Sequence, residues 1–191
     1  MELKRINPTK LLWIDLEMTG LDPRVDRIVE VAAIVTDWQF TELDTLETGV
    51  AQDVHEAEQL MNRVSIFQDR PDLKKEFLTC AKNGIPEAEA EDRLLQVIDK
   101  HFAPGEPVLL AGNSIHTDRQ FIRTWWPRLE KRLHYRMLDV SAWKVVMIGR
   151  YGVEYKKSET HRALADIRES IAELQDYLKV LSSTPREQDH A

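Results

Sequence analysis

The stretch Leu11-Leu12-Trp13-Ile14-Asp15-Leu16-Glu17-Met18-Thr19-Gly20-Leu21 sets two carboxylates into an otherwise apolar run. With a strand period of two, Leu11, Trp13, Asp15 and Glu17 share one face, and Leu12, Ile14 and Leu16 share the other. Charges placed where water is scarce cost several kcal/mol each unless they are paired, protonated or bound to a metal. Two explanations compete at this point: an edge strand with one wet face, or a pair of acids that hold a hard cation.

Outward from this strand, Thr19-Gly20-Leu21-Asp22-Pro23 supplies turn chemistry. Arg27–Thr36 is a β-branched run that predicts a second strand, and a third falls around Glu42–Ala51. Residues Glu56–Lys82 read as helical with an interruption at Arg70-Pro71, and Glu87–Phe102 carries its apolar residues at helical spacing. Pro107–Ala111 is a short buried strand, followed by the turn Gly112-Asn113-Ser114 and a helix over Thr117–Trp126 with Thr117 as its cap. Tyr135–Val140 is a further strand, Ser141 opens another helix, and a last amphipathic helix runs from about Thr160-His161 to Leu181. Strands first and then alternating helix and strand predict a mixed α/β domain over residues 1–181, its first three strands an antiparallel meander, with a polar tail at 182–191.

The chain has 191 residues, 42% hydrophobic and 31% charged, which suits one soluble globular domain. No long apolar span and no signal-peptide pattern is seen, so no membrane partner and a cytoplasmic location are expected. The one cysteine, Cys80, has no CxxC partner and reads as an inert thiol. A net charge of −7 argues against a bulk electrostatic grip on long nucleic acid, but not against a short oligonucleotide held by a few cations and a metal.

Two further acids stand beside apolar sequence: Asp118 at a helix start and Asp166 in the last helix. Mg²⁺ or Mn²⁺ requires oxygen ligands, and paired ions stabilise both the attacking and the leaving oxygen of a phosphoryl transfer. His161 precedes Asp166 by five residues, too far to share its helical face, which puts it on the loop entering that helix. There it suits a general base for the attacking water. Singly, each has an ordinary explanation. Asp118 is favoured by the helix dipole, Asp166 fits a solvated face or a pair with Arg162, and His161 fits a surface or cap position. The set as a whole carries the specificity.

The segments "WIDLEMTGLD", "GNSIHTDRQF", "HYRMLDVS" and "THRALADIRESI", in that order, resemble the signature segments of the oligoribonucleases, histidine-containing members of the DEDD exonuclease superfamily. The resemblance covers nearly the whole chain. It implies a ribonuclease-H-like α/β fold, a mixed central sheet with an antiparallel meander plus parallel strands, flanked by helices. It also implies 3′→5′ hydrolysis of short single-stranded RNA, down to dinucleotides, to nucleoside 5′-monophosphates. Two Mg²⁺ or Mn²⁺ ions per site would lie on Asp15, Glu17, Asp118 and Asp166, with His161 as general base, in a homodimer.

By the same resemblance Leu21 wedges between two bases, and the substrate 5′ end is capped by Tyr135, Arg136 and Ser141, with Ser114 close by, part of this cap coming from the other subunit. A guanidinium and hydroxyls suit a terminal phosphate, and an aromatic ring suits a base. As ordinary residues, Leu21 is a core leucine at a turn, Tyr135 and Arg136 a strand face, and Ser141 an N-cap. One segment departs from the family: where it carries a base-stacking tryptophan and then a histidine, this chain has Val64 and Asp69. Losing a stack worth about 1–3 kcal/mol weakens binding unless Phe67 substitutes. That departure keeps a broader exonuclease trimming RNA or DNA 3′ ends in contention. A non-catalytic nucleic-acid-binding module is the third reading, opposed by the intact acids and histidine.

Overall fold

A computed structural model of the chain describes residues 8–156 and 162–183. Five strands, β1 (Leu11–Met18), β2 (Ile28–Thr36), β3 (Glu42–Gly49), β4 (Val108–Gly112) and β5 (Leu133–Asp139), form one sheet in the order β3-β2-β1-β4-β5. The first three make the expected antiparallel meander, while β4 joins β1 and β5 joins β4 in parallel.

Eight helices accompany the sheet among the described residues: α1 (Val54–Met61), α2 (Ser65–Asp69), α3 (Pro71–Asn83), α4 (Glu87–His101), α5 (His116–Trp125), α6 (Pro127–Glu130), α7 (Val140–Val146) and α8 (Ala163–Ser183). A π-helical turn, Met147–Tyr151, continues α7 and ends at Gly152. Both faces of the sheet are covered. Leu12, Ile14 and Leu16 pack with Leu94, Ile98, Phe121 and Ile122 of α4 and α5. On the opposite face Leu11 and Trp13 pack with Ile167, Ile171, Leu174 and Tyr177 of α8. A third cluster, including Met61, Phe67, Leu73 and Phe77, joins α1, α2 and α3 to Val29 of β2.

This arrangement corrects the edge-strand explanation for Asp15 and Glu17. β1 is the middle strand, paired with β2 along its length and with β4 over Leu11–Trp13, and its face bearing the acids lies under α8. Three boundaries also differ from expectation. The helix expected at Thr117 begins one residue earlier, because Ser114 turns the chain at a positive φ of 49° and its carbonyl accepts from Thr117 N–H at 2.9 Å. The helix after β5 is capped by Asp139, whose carboxylate accepts from Ser141 N–H, so Ser141 lies inside it. And α8 continues through Ser182 and Ser183, where the polar tail was expected, because their hydroxyls donate back to the Lys179 and Val180 carbonyls at 2.8 and 2.9 Å. The long helical segment is broken before Pro71, as its sequence predicts, and also at Asn62–Val64.

Candidate active site

β4 accompanies β1 only from Leu11 to Trp13, and beyond that point the two parallel strands part. The crevice at the carboxyl end of parallel strands, where successive connections leave in different directions, is the usual ligand position in open α/β sheets. Asp15 and Glu17 occupy the stretch of β1 past the parting. A backbone donor of this stretch, Leu16 N–H, is met by Asp118 Oδ1 at 2.9 Å from the first turn of α5. A side-chain carboxylate thus replaces the missing strand carbonyl.

α8 crosses the same face of the sheet and brings Asp166 in its first turn to Asp15 and Glu17. One carboxylate oxygen from each of the three lies within 4.8 Å of the others, and all three residues are half-buried. Burial above all, then the charges of Asp166, Glu30 and Asp118, push Glu17 up to about 8, against the opposing pull of Arg162. Asp118, 6% exposed, is also raised, mainly by burial, although Leu16 N–H favours its charged form. The donor set is all oxygen, crowded and short of positive charge, which fits a hard divalent cation better than a thiolate-seeking or imidazole-seeking metal. Asp118 lies outside the cluster of three and next to it. His161 falls outside the described residues.

The loop from Thr19 to Arg27 projects Leu21, which is 74% exposed. Buried Asp26 organises that loop: it accepts from Thr19 Oγ1 at 3.1 Å and Asp22 N–H at 2.9 Å, and pairs with Arg63 at 3.2 Å. A Cβ on Gly20 would stand 2.5 Å from Asp26 Oδ2, so only glycine fits over this carboxylate. Beside Leu21 opens a cleft of about 200 Å³, lined by Glu17 and by Val64, Ile66, Phe67 and Phe77. Val64 thus forms part of its wall, while Asp69 is exposed at the end of α2. Phe67 is 5% exposed and packs edge-on against Phe77 with ring centres 5.6 Å apart, so its ring belongs to the core.

Ser114 and Ser141 come together, hydroxyl to hydroxyl at 3.1 Å, and Ser114 N–H donates to both Asp139 Oδ1 and Ser141 Oγ at 3.0 Å. Ser141 donates on to Asn113 Oδ1, and the Asn113 amide donates to Ser170 and Glu173 of α8. Tyr135 and Arg136 sit on edge strand β5 and contact each other, the guanidinium 5.1 Å from the ring centre. The backbone there is fixed by Arg119, 8% exposed, which donates to the His134 and Tyr135 carbonyls at 2.8 and 3.1 Å. Sequence reasoning passed over Asn113, Asp139, Arg119 and Glu30. For Glu30 a signal existed, since it is another carboxylate inside the apolar run "RIVEVAAIVT".

The chain matches the exonuclease family (RNase_T) over residues 12–174. It is 46% identical over 176 residues to the oligoribonuclease of Corynebacterium glutamicum, covering 88% of this chain and 78% of the relative. With the oligoribonuclease of Thiobacillus denitrificans it shares 40% identity over 176 residues, covering 90% and 94%. Among solved structures it is similar to exonuclease I from Methylocaldum szegediense, with a TM-score of 0.63 at 20% identity, and to a zinc-bound complex of E. coli exonuclease I with single-stranded DNA, with a TM-score of 0.62 at 16% identity. These superpositions cover 91% and 92% of this chain but only 43% and 41% of those longer proteins, and they establish the fold, a ribonuclease-H-like α/β domain. With its acids gathered at the parting of β1 and β4 and this degree of identity along nearly its full length, the chain belongs to the oligoribonuclease family of DEDD exonucleases and is a phosphodiester-hydrolysing nuclease.

Proposed function

We propose that this protein hydrolyses short single-stranded oligoribonucleotides, down to dinucleotides, from the 3′ end to nucleoside 5′-monophosphates. The observation that carries the reading is the convergence of Asp15, Glu17 and Asp166 within 4.8 Å, with Asp118 locked to the same strand through Leu16. Asp15, Glu17, Asp118 and Asp166 are the residues that would hold two Mg²⁺ or Mn²⁺ ions, which when bound supply charge stabilisation to the attacking and leaving oxygens of the phosphodiester. His161 takes the proton of the attacking water, a role worth about 10²–10⁴ in rate. Leu21, held out from the Thr19–Arg27 loop, separates the two bases.

Ser114 and Ser141 present a pair of hydroxyls to the substrate's 5′ phosphate, and their contact with Asn113 and Asp139 fixes where those hydroxyls sit. Tyr135 and Arg136 complete the cap from a second copy, which makes the active form a homodimer. An apolar surface suitable for such pairing lies on β5 and the helix after it, where Tyr135, Val145, Val146 and Ile148 are 67%, 72%, 50% and 45% exposed.

A second reading, an exonuclease that also trims longer RNA or DNA ends, is favoured by the cleft itself. Its wall beside Leu21 is aliphatic at Val64 and Ile66, and its two rings, Phe67 and Phe77, are nearly buried and packed on each other, so little ring surface is open for a base to stack on.

Replacing Asp15 or Asp166 with Ala is expected to abolish Mn²⁺-supported cleavage of a 5′-labelled RNA dinucleotide, and His161→Ala to lower kcat by about 10²–10⁴. Activity retained in the Asp variants ends the assignment. Across labelled RNA and DNA of two to about ten nucleotides, the RNA dinucleotide should be cleaved fastest, and Val64→Trp should lower its KM by about tenfold, the equivalent of a restored stack. Equal rates at all lengths favour the second reading. Light scattering should give a dimer mass for wild type and a monomer mass for Val145→Asp, which should also lose the preference for dinucleotides.

Glu17 also sets a pH dependence. Its folded value near 8 lies above the ordinary 4.5, so the metal-free fold keeps a proton that the unfolded chain has released. That contribution is complete below pH 4.5 and is lost as pH rises to 8. In chelator, wild-type Tm should therefore fall between pH 6 and 8.5 relative to Glu17→Gln by about 2–8 °C, allowing about 1–2 kcal/mol after relaxation of the site. Added Mn²⁺ competes with the proton, so its stabilisation of wild type should grow over the same range. Parallel Tm curves for the two proteins in chelator would refute the assignment of the raised group to Glu17.

A further inference from the structure

Glu30 stands directly across the antiparallel β1–β2 pair from Glu17. Residues opposed in this way project to the same face of a sheet, so Glu30 shares the face that carries Asp15 and Glu17 beneath α8. It is 2% exposed, and a buried carboxylate there requires a partner. The partner is Arg162, whose Nη2 donates to Glu30 Oε1 at 3.1 Å and stands 3.8 Å from Glu47 of β3. The Cys80 thiol of α3 faces the other oxygen of Glu30 at 3.9 Å, and burial holds that thiol protonated, up to about 11.

Arg162 is fixed at its other end as well. Its carbonyl accepts from Asp166 N–H at 2.9 Å and so forms the opening turn of α8. One residue thus ties the helix start, through its backbone, to the middle of the sheet, through its guanidinium. Three residues separate this anchor from Asp166, and His161 precedes it directly in the chain.

We infer that Glu30 and Arg162 form a positioning clasp that sets the first turn of α8 on the sheet and thereby holds Asp166 against Asp15 and Glu17. Neither residue touches the reacting atoms; both act through the carboxylates they align. The inference deepens the proposed nuclease reading and rests on its assignment of these acids as metal ligands. Support comes from charge placement too: Arg162 is a cation beside a crowd of acids and opposes the repulsion felt by Glu17. Partners behind metal ligands typically matter by about 10–100-fold in metal affinity or activity when removed.

The test is a double-variant cycle on the full chain with Glu30→Gln, Arg162→Gln and the two combined, plus Arg162→Lys. Mn²⁺ affinity is read from the electron paramagnetic resonance of free Mn²⁺, and kcat and KM from RNA dinucleotide cleavage, with Tm measured in chelator. Each single Gln variant is expected to weaken Mn²⁺ binding about 10–100-fold and lower kcat over the same range, with KM for the dinucleotide within about threefold of wild type. The combined variant should be no worse than the poorer single one, and Arg162→Lys should recover most of the affinity. Single effects that multiply in the combined variant, Mn²⁺ affinities within twofold of wild type, or losses that follow Tm without rescue by Lys each overturn the clasp. If a single variant does not fold, the combined variant and Arg162→Lys decide alone: a loss of Mn²⁺ affinity of about 10–100-fold in the combined variant with recovery in Arg162→Lys supports the clasp, and near-wild-type affinity in the combined variant or an equal loss in both overturns it. Because Mn²⁺ binding judges the clasp and wild-type dinucleotide cleavage judges the nuclease reading, failure of one is distinguishable from failure of the other.

Discussion

The hydrogen bond from Leu16 N–H to Asp118 Oδ1 marks where the sheet ends and the site begins. A strand that loses its neighbour halfway leaves a row of buried donors and acceptors, and such groups must find partners. Here β4 turns away after Gly112, and α5 returns at once to offer a carboxylate to β1. The turn between them runs through Ser114 in the left-handed region, a conformation costing about 1–2 kcal/mol for a residue with a Cβ. Two hydrogen bonds from Ser114 N–H offset it. A single backbone vacancy thus brings the second acidic segment against the first, and does so in a volume dry enough to raise both Asp118 and Glu17.

That dryness has two sources, one on each face. α5 closes the side of Leu12, Ile14 and Leu16, while α8 closes the side of Leu11 and Trp13 and continues over Asp15. In the first turn of α8 Asp166 stands between the packed residues Ala163 and Leu164 on one side and Ile167 on the other, and on β1 Asp15 stands two residues past buried Trp13, so core and acids adjoin closely on both elements. The same elements that exclude water therefore present the acids, which places them on rigid supports and not on loops.

Much of this was legible in one dimension. Period-two alternation separated Leu11, Trp13, Asp15 and Glu17 from Leu12, Ile14 and Leu16 correctly, and β-branched runs located the meander. Whether β1 was central or peripheral was not legible, because an acid on a wet face and an acid under a helix have the same local sequence; only the crossing of α8, some 150 residues away, distinguishes them. The helix boundaries at His116 and Ser183 escaped for the opposite reason, being decided by single local hydrogen bonds that composition does not encode. Asn113 and Asp139 were invisible as functional candidates, since an Asn in a turn and an Asp before a helix are ordinary capping residues, and their joint grip on Ser114 and Ser141 appears only when β4 and β5 lie side by side.

The cleft beside Leu21 alters how recognition must be divided. Under the proposed function a base seated beside Leu21 meets aliphatic Val64 and Ile66 and the nearly buried Phe67 and Phe77, whose rings are packed on each other, so it gains dispersion and desolvation more than open ring stacking. Contacts of that kind accept any base and do not measure chain length. On the proposed reading, selection for a short substrate would fall to the other end, where two serine residues are held by Asp139, Asn113 and, through Ser170 and Glu173, by the body of α8. Rigid polar groups of this sort would measure position sharply, because a phosphate displaced by one nucleotide loses the hydrogen bonds they are placed to make. The aliphatic cleft and the preorganised serine pair are therefore complementary: the weaker the hold on the base, the more of the discrimination must reside in a cap that does not yield.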